Sequence, residues 1–425
     1  MRLLFVVQRY GESVAGGAEQ ACRSFAERLA ARGHDVHAAS SCATSYVDWA
    51  NELPAGTTVE NDVTVHRFPV DRLRRTGQFS FLNRAAAHSD SLVDPVVQRA
   101  WMDEQGPRAR GLRPWLTGNA HRFDVVVFFT YLYYTTYHGL RAAAPLTTTV
   151  LHPTAHQEPY LEMPLFDEVF RLPDALALFT PEEGELIARR FRTPVPAEEI
   201  GIGLDPPVTP VDEATFRADI GVGDRPYVLF LGRVDPGKGS DELIRYFAEY
   251  KRRRESDLAL VIVGDPVTRP DLSDDIIMTG YVDEATKSAA LANAVALMQP
   301  SYFESFSLAL VEAWQHSLPA LVQGHTDVLV GQARRSGGAI PYWGYPEFEV
   351  ALDRLLADED LRRALGANGK AYVEERYRWP VVLDRYEDLL ARVVRRHRGV
   401  NGTQPGVADG QMPSITPRSN SASSG

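Results

Sequence analysis

The sequence predicts an α/β protein made of two doubly wound domains, and three observations lead to that fold class. Short apolar runs alternate along the chain with segments of helical length. Several runs are almost entirely Val, Ile and Leu, as expected for strands that are buried on both faces of a parallel sheet. The runs also form two series, which the proline-rich stretch 204–213 (LDPPVTPVDE) separates without any apolar periodicity.

Each series supplies enough strands for a sheet of its own, in the alternating order that is typical of βαβ units. The first series predicts strands at 2–8, 35–40, 63–69, 124–130, 146–152 and 175–180. The second predicts strands at 227–233, 258–264, 276–280, 295–300 and 319–324. We therefore expect an N-terminal domain at 1–205, a linker at 206–212 and a C-terminal domain at 213–378.

The end of the chain departs from the alternating pattern. After Trp379-Pro380 the sequence predicts one amphipathic helix, assigned to 379–397, which ends in the basic residues that a helix C-terminus favours. The remaining 398–425 is rich in Gly, Ser, Pro and Asn, and its low apolar content predicts disorder.

Residues 67–122 carry ten arginines against five acidic residues, although the whole chain is acidic. Scattered aromatic residues and few strand signals predict a helical insertion in the N-terminal domain. Two interpretations of its charge stay open. It forms a solvated basic face, or it makes an electrostatic contact with anionic lipid or an acidic acceptor.

The composition excludes several classes of protein. A net charge of −11 leaves no global basic field for nucleic acid. With only Cys22 and Cys42, the chain has neither a disulfide scaffold nor a cysteine-based zinc site, which fits a reducing compartment. The apolar run from Leu3 to Val7 is too short for a signal peptide, and no stretch approaches the roughly 18 apolar residues of a membrane span. We expect a cytoplasmic protein.

The stretch 232–239, GRVDPGKG, contains one of only four lysines in a chain with 45 basic residues. It lies between a predicted strand and a predicted helix, where glycines let backbone N–H groups approach an anion. Arg233 adds a planar guanidinium and Lys238 a compact point charge, and both suit phosphate. The spacing differs from that of a P-loop, and the alternative is a glycine turn with a surface lysine.

The stretch 300–314, PSYFESFSLALVEAW, places seven residues between two glutamates. If a helix begins near residue 305, Glu304 precedes it and Glu312 lies about two turns inside, within roughly 80° of the same side. The unpaired N–H groups of its first turn would be those of Phe306, Ser307 and Leu308. The carboxylates could bind hydroxyl groups and the amides could bind phosphate, so the stretch suits a sugar nucleotide. In the alternative interpretation, Glu304 is an ordinary acidic residue at a helix N-terminus and Glu312 lies on a solvated helix face.

The loop after the first strand contains Gly11, Gly16 and Gly17 before a helix begins. It lacks the GxGxxG spacing, and the second strand ends in AASS without the acid that binds a ribose. A dinucleotide-dependent oxidoreductase is therefore disfavoured. Gly16 and Gly17 still form a second candidate anion site at a helix start. Cys22, inside that helix, is assigned to packing.

His152 and His156 follow a predicted strand, at the carboxyl edge where ligands bind in open α/β sheets. Glu158 lies two residues beyond His156. Each histidine is either a structural residue or a polar group of the site. No further cluster of ligand residues accompanies the pair, so we expect no metal site.

Taken together, these motifs resemble the GT-B glycosyltransferases of family 4 over about residues 1–397. The shared pattern comprises GGAE near the N-terminus, the stretch 232–239 ahead of a helix, and E-x7-E after a strand. The helix after Trp379-Pro380 resembles the C-terminal helix with which that family crosses back to its N-terminal domain. The resemblance implies two Rossmann-like domains that face a cleft, the first for the acceptor and the second for the nucleotide sugar.

The resemblance also implies roles for the motif residues. On the donor side, Arg233 and Lys238 would bind the diphosphate. Glu304 would contact the transferred sugar, and Glu312 would bind the ribose hydroxyls. Further contacts to the donor would come from the backbone amides of Gly16, Gly17, Phe306, Ser307 and Leu308. His156 would lie near the reacting carbon, although Gln157 stands where the family usually has Asp, and His152 remains an alternative. The segment 312–322, EAWQHSLPALV, also departs from the smaller and less polar segment usual in the family.

The implied activity is that of a retaining transferase that needs no cofactor and no obligatory metal. It would move a sugar from a nucleoside-diphosphate donor, of UDP or GDP type, to a hydroxyl of a glycan, a lipid-linked molecule or a small molecule. The basic insertion favours cell-envelope or exopolysaccharide assembly, with peripheral contact at the inner face of the membrane, and secondary metabolism is equally compatible with everything else in the sequence. A catalytically inactive nucleotide- or glycan-binding subunit is the alternative from another class.

Overall fold

The computed structural model describes residues 1–14, 16–86, 94–264 and 273–401. The N-terminal sheet is built from β1 (Arg2–Val6), β2 (Asp35–Ser41), β3 (Gly56–Glu60), β4 (Val63–Phe68), β5 (Val125–Phe129), β6 (Thr148–His152), β7 (Ala175–Leu178) and β8 (Ala197–Glu199). Their order is β3-β4-β2-β1-β5-β6-β7-β8. All neighbours pair in parallel except β3, which forms an antiparallel edge hairpin with β4.

The C-terminal sheet is built from β9 (Tyr227–Leu231), β10 (Ala259–Val263), β11 (Ile276–Gly280), β12 (Leu297–Gln299), β13 (Ala320–Gln323) and β14 (Ala339–Tyr342). Their order is β11-β10-β9-β12-β13-β14, and every pairing is parallel. Strands β5 and β10 are buried along their whole length, because helices cover both faces of each sheet. The predicted fold class, two doubly wound parallel sheets, is confirmed.

Helices alternate with these strands. The N-terminal half carries α1 (Gly17–Ala31), α2 (Thr76–Ala86), α3 (Pro95–Gln105), α4 (Leu112–Asn119), α5 (Tyr134–Ala143) and α6 (Pro181–Phe191). The C-terminal half carries α7 (Glu213–Ile220), α8 (Ser240–Arg253), α9 (Glu284–Ala292), α10 (Leu308–Gln315), α11 (Asp327–Ser336), α12 (Tyr345–Ala357), α13 (Glu359–Arg376) and α14 (Trp379–Asn401). Residues 205–212 form neither helix nor strand.

Each sheet has a point where the strand order reverses, and ligands bind there in doubly wound folds. In the N-terminal sheet β1 lies between β2 and β5, and in the C-terminal sheet β9 lies between β10 and β12. The loops after β1, β9 and β12 therefore lie at crevices. These are the loops that carry the glycine-rich and glutamate motifs of the sequence.

Three strands were not predicted, and all three are sheet edges: β3, β8 and β14. An edge strand has one neighbour and is less deeply covered, so it does not need a continuous apolar run. β3 (GTTVE) is largely exposed, β8 has only three residues, and β14 (AIPY) is interrupted by a proline. Their sequences therefore lack the pattern that revealed the central strands.

Two predicted boundaries are wrong. Arg67 and Phe68 belong to β4, where Arg67 pairs with Glu60 at 2.6 Å, so the helical insertion begins after Phe68 and contains α2, α3 and α4. At the other end α14 continues to Asn401, so residues 398–401 are helical rather than disordered. The rest of the predicted disordered tail, 402–425, lies outside the described residues.

Part of the basic charge of the insertion is structural. The Glu104 carboxylate is buried and forms ion pairs with Arg72 and Arg75. Between them, Arg74 donates to the backbone oxygens of Glu104 and Tyr46 at 2.9 and 2.7 Å. Burial lowers the pKa of Arg74 to about 10. These arginines stabilise the insertion through contacts with its own helices and the neighbouring loop.

Helix α14 joins the two halves of the chain. It begins at Trp379, which packs edge-on against Phe25 of α1. Further along, the Tyr386 hydroxyl lies 3.0 Å from His152 Nε2 at the end of β6. Apolar residues of both sheets and of α14 form one continuous buried core. Within the described ranges, no helix is both long and apolar enough to cross a membrane.

Candidate active site

The cleft between the two sheets contains a cavity of about 360 Å³. Six loops contribute to it: those after β1, β6, β7, β8, β9 and β12. Its lining includes most of the predicted site residues, namely Gly17, His156, Lys238, Glu304, Phe306, Ser307 and Leu308. Residues that are distant in sequence therefore meet at the carboxyl edges of both sheets, as the doubly wound fold requires.

The loop after β9 carries the two predicted cations. Lys238 Nζ lies 2.7 Å from Glu304 Oε1, so the lysine and glutamate motifs form one ion pair across the crevice. Arg233 donates to Asp235 at 2.6 Å and remains half-exposed. Gly239 adopts a φ of +69°, and a Cβ there would lie 2.1 Å from the Pro300 backbone oxygen. This glycine is therefore required both by its conformation and by the close approach of the β12 loop.

The loop after β12 differs from its prediction. Helix α10 begins at Leu308, and its N-cap residue Ser307 has a φ of +69°. Phe306 and Ser307 therefore precede the helix, and only Leu308 of the three lies in its first turn. The Phe306 ring is buried against Tyr377, so this residue reaches the cavity chiefly through its backbone. The predicted first turn is wrong because the polar contacts of the loop delay the helix: Gln299 donates to Ser307 Oγ at 2.5 Å.

The later start of α10 also changes the relation between the two glutamates. Glu304 is not on the helix, so the angular argument for a shared side does not apply. Glu304 faces the 360 Å³ cavity, whereas Glu312 lines a neighbouring cavity of about 290 Å³. Ile202 and Leu308 line both cavities, so the two spaces adjoin. The glutamates therefore act in adjacent compartments of one cleft.

Lys287 of α9 is a site residue that the sequence reasoning missed. Its Nζ lies 3.1 Å from Glu312 Oε1 and 2.8 Å from Glu284 Oε2. Burial lowers the pKa of Lys287, but the two carboxylates have the larger combined effect, so the pKa of Lys287 is raised. Burial raises the pKa of Glu312, and Lys287 opposes that shift. The scarcity of lysine, which singled out Lys238, could also have pointed to Lys287.

The loop after β1 contributes backbone. Gly16 has a φ of +152°, and a Cβ on it would lie 2.3 Å from Glu19 Oε2, so it packs against side chains at the start of α1. A Cβ on Gly17 would meet nothing within 4 Å, and Gly17 lines the cavity. Behind the loop, the buried Glu19 carboxylate accepts hydrogen bonds from Arg9 at 2.6 and 2.8 Å. Of the two glycines, only Gly17 opens toward the site.

The two histidines, four residues apart, have different environments. His152 is fully buried among aromatic rings, bonds to Tyr386, and does not line the cavity. Burial lowers the pKa of His152 to about 3, so its ring stays neutral. The His156 ring lines the cavity, 5.5 Å from the Phe303 ring, and its Nδ1 lies 3.8 Å from Glu158. The structure thus brings His156, and not His152, to the cleft.

Glu183 is a second residue that the sequence reasoning missed. It is fully buried in the first turn of α6, and its two carboxylate oxygens accept the N–H groups of Ala155 at 2.7 Å and Phe179 at 2.8 Å. Burial raises the pKa of Glu183 to about 8, although these backbone bonds oppose the shift. The neighbouring Thr154 has a φ of +51°, a conformation that needs support in a residue with a Cβ. Glu183 therefore holds the strained loop that presents His156.

Polar contacts connect the two domains across the cleft. Arg233 donates to the Tyr46 hydroxyl at 2.8 Å, and Thr180 donates to the Ser305 backbone oxygen at 3.2 Å. Two ion pairs join α6 to α11, Glu182 with Arg335 and Arg189 with Asp327. They hold the walls of the site together. Among the residues that the structure describes, no group of three or more His, Cys, Asp or Glu side chains could hold a metal ion.

Comparisons with known proteins agree with this geometry. Residues 212–372 match the family model for glycosyl transferases group 1. The D-inositol 3-phosphate glycosyltransferase of Kribbella flavida is 26% identical over 393 residues, covering 86% of this chain and 87% of that protein. The alpha-D-kanosaminyltransferase of Streptomyces kanamyceticus is 28% identical over 181 residues, which are 40% of this chain and only 46% of that protein.

Among solved structures, Anabaena Alr3699/HepE in complex with UDP and glucose superposes with a TM-score of 0.65. The superposition covers 92% of this chain and 100% of that one, at 16% sequence identity. At that level of identity the likeness concerns the fold alone, which is the GT-B arrangement of two sheets around a cleft.

Proposed function

We propose that this chain, as a glycosyltransferase of the GT-B fold and the family 4 type, transfers a sugar from a nucleoside-diphosphate donor to a hydroxyl. The transfer would retain the configuration of the sugar. One observation carries the proposal. The Lys238–Glu304 ion pair, at 2.7 Å, lies in the same cavity as His156 and the amino ends of α1 and α10. A cation, a carboxylate and two helix N-termini form a site for an anionic sugar derivative.

The diphosphate of the donor fits the side of the cavity formed by the loop after β9. Lys238 would exchange its bond to Glu304 for phosphate oxygens, and Arg233 would exchange its bond to Tyr46. Gly17 and Leu308, the first residues of α1 and α10, line the same cavity, so their N–H groups would be available to the diphosphate. As the bond between the sugar and the diphosphate breaks, these donors would stabilise the charge that develops on the leaving group.

The nucleoside fits the adjoining cavity of about 290 Å³. Glu312 would accept hydrogen bonds from the ribose hydroxyls, and Lys287 would hold that carboxylate in place. The sugar would then lie on the other side of the diphosphate, between Glu304 and His156. The two cavities share Leu308, so a single extended donor passes from one to the other.

The chemistry we propose uses no protein nucleophile. The acceptor oxygen forms a bond to the anomeric carbon while the bond from that carbon to the diphosphate breaks, on the same face of the sugar. The acceptor proton passes to an oxygen of the departing diphosphate. Glu304 and His156 orient the sugar hydroxyls as positive charge develops on the ring. Contacts between the two domains that the donor does not displace, such as the bond from Thr180 to the Ser305 backbone oxygen, would exclude water that would hydrolyse the donor.

A UDP or GDP donor, without cofactor or obligatory metal, remains our proposal for the substrate. The UDP complex of the structural neighbour supports the first choice. We propose a glycan, lipid-linked or small-molecule acceptor, with the cell-envelope and exopolysaccharide pathways ahead of secondary metabolism. A cytoplasmic location, with peripheral contact at the inner face of the membrane, belongs to the same proposal and is supported by the exposed arginines of the insertion, such as Arg99 and Arg113.

A thermal-shift panel of UDP, GDP, ADP and TDP, without and with EDTA, tests the donor site. A nucleotide at 100 times its dissociation constant stabilises the native state by about 2.7 kcal/mol. We expect one nucleotide to raise the melting temperature with or without EDTA, and Lys238→Ala to abolish that shift. Lys370→Ala, which removes an exposed lysine elsewhere in the same domain, should retain it. If none of the four nucleotides shifts the wild-type protein, the donor site is wrongly assigned.

A further inference from the structure

Three aromatic side chains stand in a row on the C-terminal sheet. Tyr302, His325 and Trp343 follow the adjacent strands β12, β13 and β14 at their carboxyl ends. Neighbouring strands lie about 4.8 Å apart, so the topology itself places these residues side by side. All three are exposed: Tyr302 by 37% and Trp343 by 48%, and His325 likewise.

Hydrogen bonds hold the Tyr302 and His325 rings, whereas the Trp343 ring lies against Gly324, where a Cβ would come within 2.5 Å of the indole. The Tyr302 hydroxyl donates to Glu242 at 3.0 Å, and Gln323 donates to the other oxygen of that carboxylate at 3.0 Å. The His325 ring bonds to the Trp343 backbone oxygen at 3.2 Å and lies nearly parallel to the Tyr302 ring, at 12° and 6.3 Å. Burial and the Glu242 bond raise the pKa of Tyr302 to about 12, so its ring is neutral. The exposed faces are preorganised.

The row is continuous with the reacting centre. Phe303, which is 38% exposed, connects Tyr302 to the His156 ring at 5.5 Å. Tyr302, Phe303 and His325 line a cavity of about 530 Å³ together with His156 and Glu304. From the proposed site of transfer, the aromatic surface therefore leads along the sheet edge toward β14.

The charge of this cavity excludes an anionic occupant. Its described lining contains no lysine and no arginine. Its four carboxylates are engaged elsewhere. Glu182 pairs with Arg335, Asp327 with Arg189 and Glu304 with Lys238. Glu183 accepts backbone N–H groups. An anion would find no counter-charge, whereas a neutral polyol would find hydrogen-bonding groups beside aromatic faces. The C–H face of a pyranose packs on such rings while its hydroxyls bond at the edges.

We infer that Tyr302, Phe303, His325 and Trp343 form an aromatic platform that binds a neutral sugar ring of an oligosaccharide acceptor, beyond the ring that receives the transferred sugar. Exposed apolar patches of this kind mark binding surfaces. The inference rests on the proposed function for the direction of the acceptor. Binding of the glycan to the platform does not require turnover, so the two can be tested separately.

Trp343 is itself the reporter of the binding experiment. It is the most exposed of the six tryptophans, all of which lie within the described ranges. Acrylamide quenching would be measured with glucose, maltotriose, cellotriose or laminaritriose. We expect at least one trisaccharide to protect Trp343, and glucose to protect it about tenfold more weakly, because a single ring covers less of the platform. Trp343→Phe should abolish the signal while its circular dichroism stays native.

Two variants separate the platform from general effects. Tyr302→Ala should weaken the trisaccharide about tenfold, whereas Phe81→Ala, which removes an exposed ring of α2, should leave it unchanged. The nucleotide shift of the thermal panel should survive in both. If a trisaccharide protects Trp343 but no nucleotide raises the melting temperature, the platform is supported and the proposed function is contradicted.

Three results would overturn the inference. One is the absence of protection by any trisaccharide. A second is equal protection in the wild type and in Tyr302→Ala. The third is protection of Trp343 by vesicles of phosphatidylcholine and phosphatidylglycerol but not by sugars, which would make the aromatic row a membrane contact.

Discussion

On the C-terminal side of the cleft, charged side chains reach the cavities as ion pairs, whereas the N-terminal side contributes glycine backbone and the His156 ring. Lys238 with Glu304 and Lys287 with Glu312 are partly open to the space that a donor would fill. Opposite them, the carboxyl group that supports the His156 loop, that of Glu183, is fully buried. In the proposed mechanism, one rim would bind an anion directly, and the other would position a neutral group from behind.

This difference predicts which property a substitution on each rim should change. On the C-terminal rim a lost charge should change donor binding and the stabilisation of the leaving group at once. On the N-terminal rim a lost support should change the orientation of His156 and leave donor affinity largely intact. Four predictions test this contrast.

The largest effect should follow Lys238→Ala. The change removes the cation nearest the proposed diphosphate and leaves the Glu304 carboxylate, only 8% exposed, without its partner. We expect kcat/KM to fall by about 10³-fold, the scale of one lost electrostatic contact at a developing charge. Initial rates of nucleoside diphosphate release would measure it, with Lys370→Ala as the control. A fall below tenfold would show that the diphosphate lies elsewhere.

A double-mutant cycle of His156 and Glu183 should show the next largest effect. We expect His156→Ala to lower kcat about 10²-fold, as for a lost polar group near a reacting centre. Glu183→Gln should lower kcat about tenfold with donor KM unchanged, because one backbone N–H loses its acceptor.

If Glu183 acts through His156, Glu183→Gln should cost little in the His156→Ala background. Glu185→Gln, an exposed neighbour on α6, is the control and should change neither constant. An equal tenfold loss in both backgrounds would mean that Glu183 serves the fold in general and not the histidine loop.

Alanine substitutions at two glycines of the C-terminal domain distinguish the stability lost through backbone strain from the stability lost through a close backbone contact. Gly239 and Gly223 both have a left-handed φ, of +69° and +60°, but only Gly239 lies against another backbone, at Pro300. Each Ala variant should lose about 1 kcal/mol of stability through strain. Gly239→Ala should lose about 2 kcal/mol more, and donor affinity with it. Urea unfolding measures the difference, and equal losses would contradict the contact with Pro300.

The smallest effect on activity concerns His152, the buried counterpart of His156. Its pKa of about 3 in the folded protein lies below the usual 6.5, so between these pH values the unfolded chain binds the extra proton. Stability therefore falls as the pH drops from about 6.5, by at most about 1.4 kcal/mol per unit from this residue. His152→Phe should flatten that slope without changing kcat, and the exposed control His121→Phe should not. A slope unchanged in His152→Phe would contradict the assignment.

The candidate site was predictable where its chemistry is local in the sequence. Lys238 between glycines, and Glu304 with Glu312 at a fixed spacing, are visible in short stretches, and the structure brings them to one cleft. The start of α10 was not predictable, because the contact of Ser307 with Gln299 delays the helix. The sequence favours a helix from residue 305, and a tertiary hydrogen bond overrides that preference.

By itself the sequence determined the two doubly wound sheets and the loops that meet at their crevices. The reason is that central strands buried on both faces must be continuous apolar runs, and their loops must leave at the carboxyl edge. Only the tertiary structure decided which histidine reaches the cleft, which lysine contacts Glu312, and that Glu183 supports the loop of His156. Those outcomes depend on contacts such as His152 with Tyr386, 234 residues apart, and no local pattern encodes the distance between such partners.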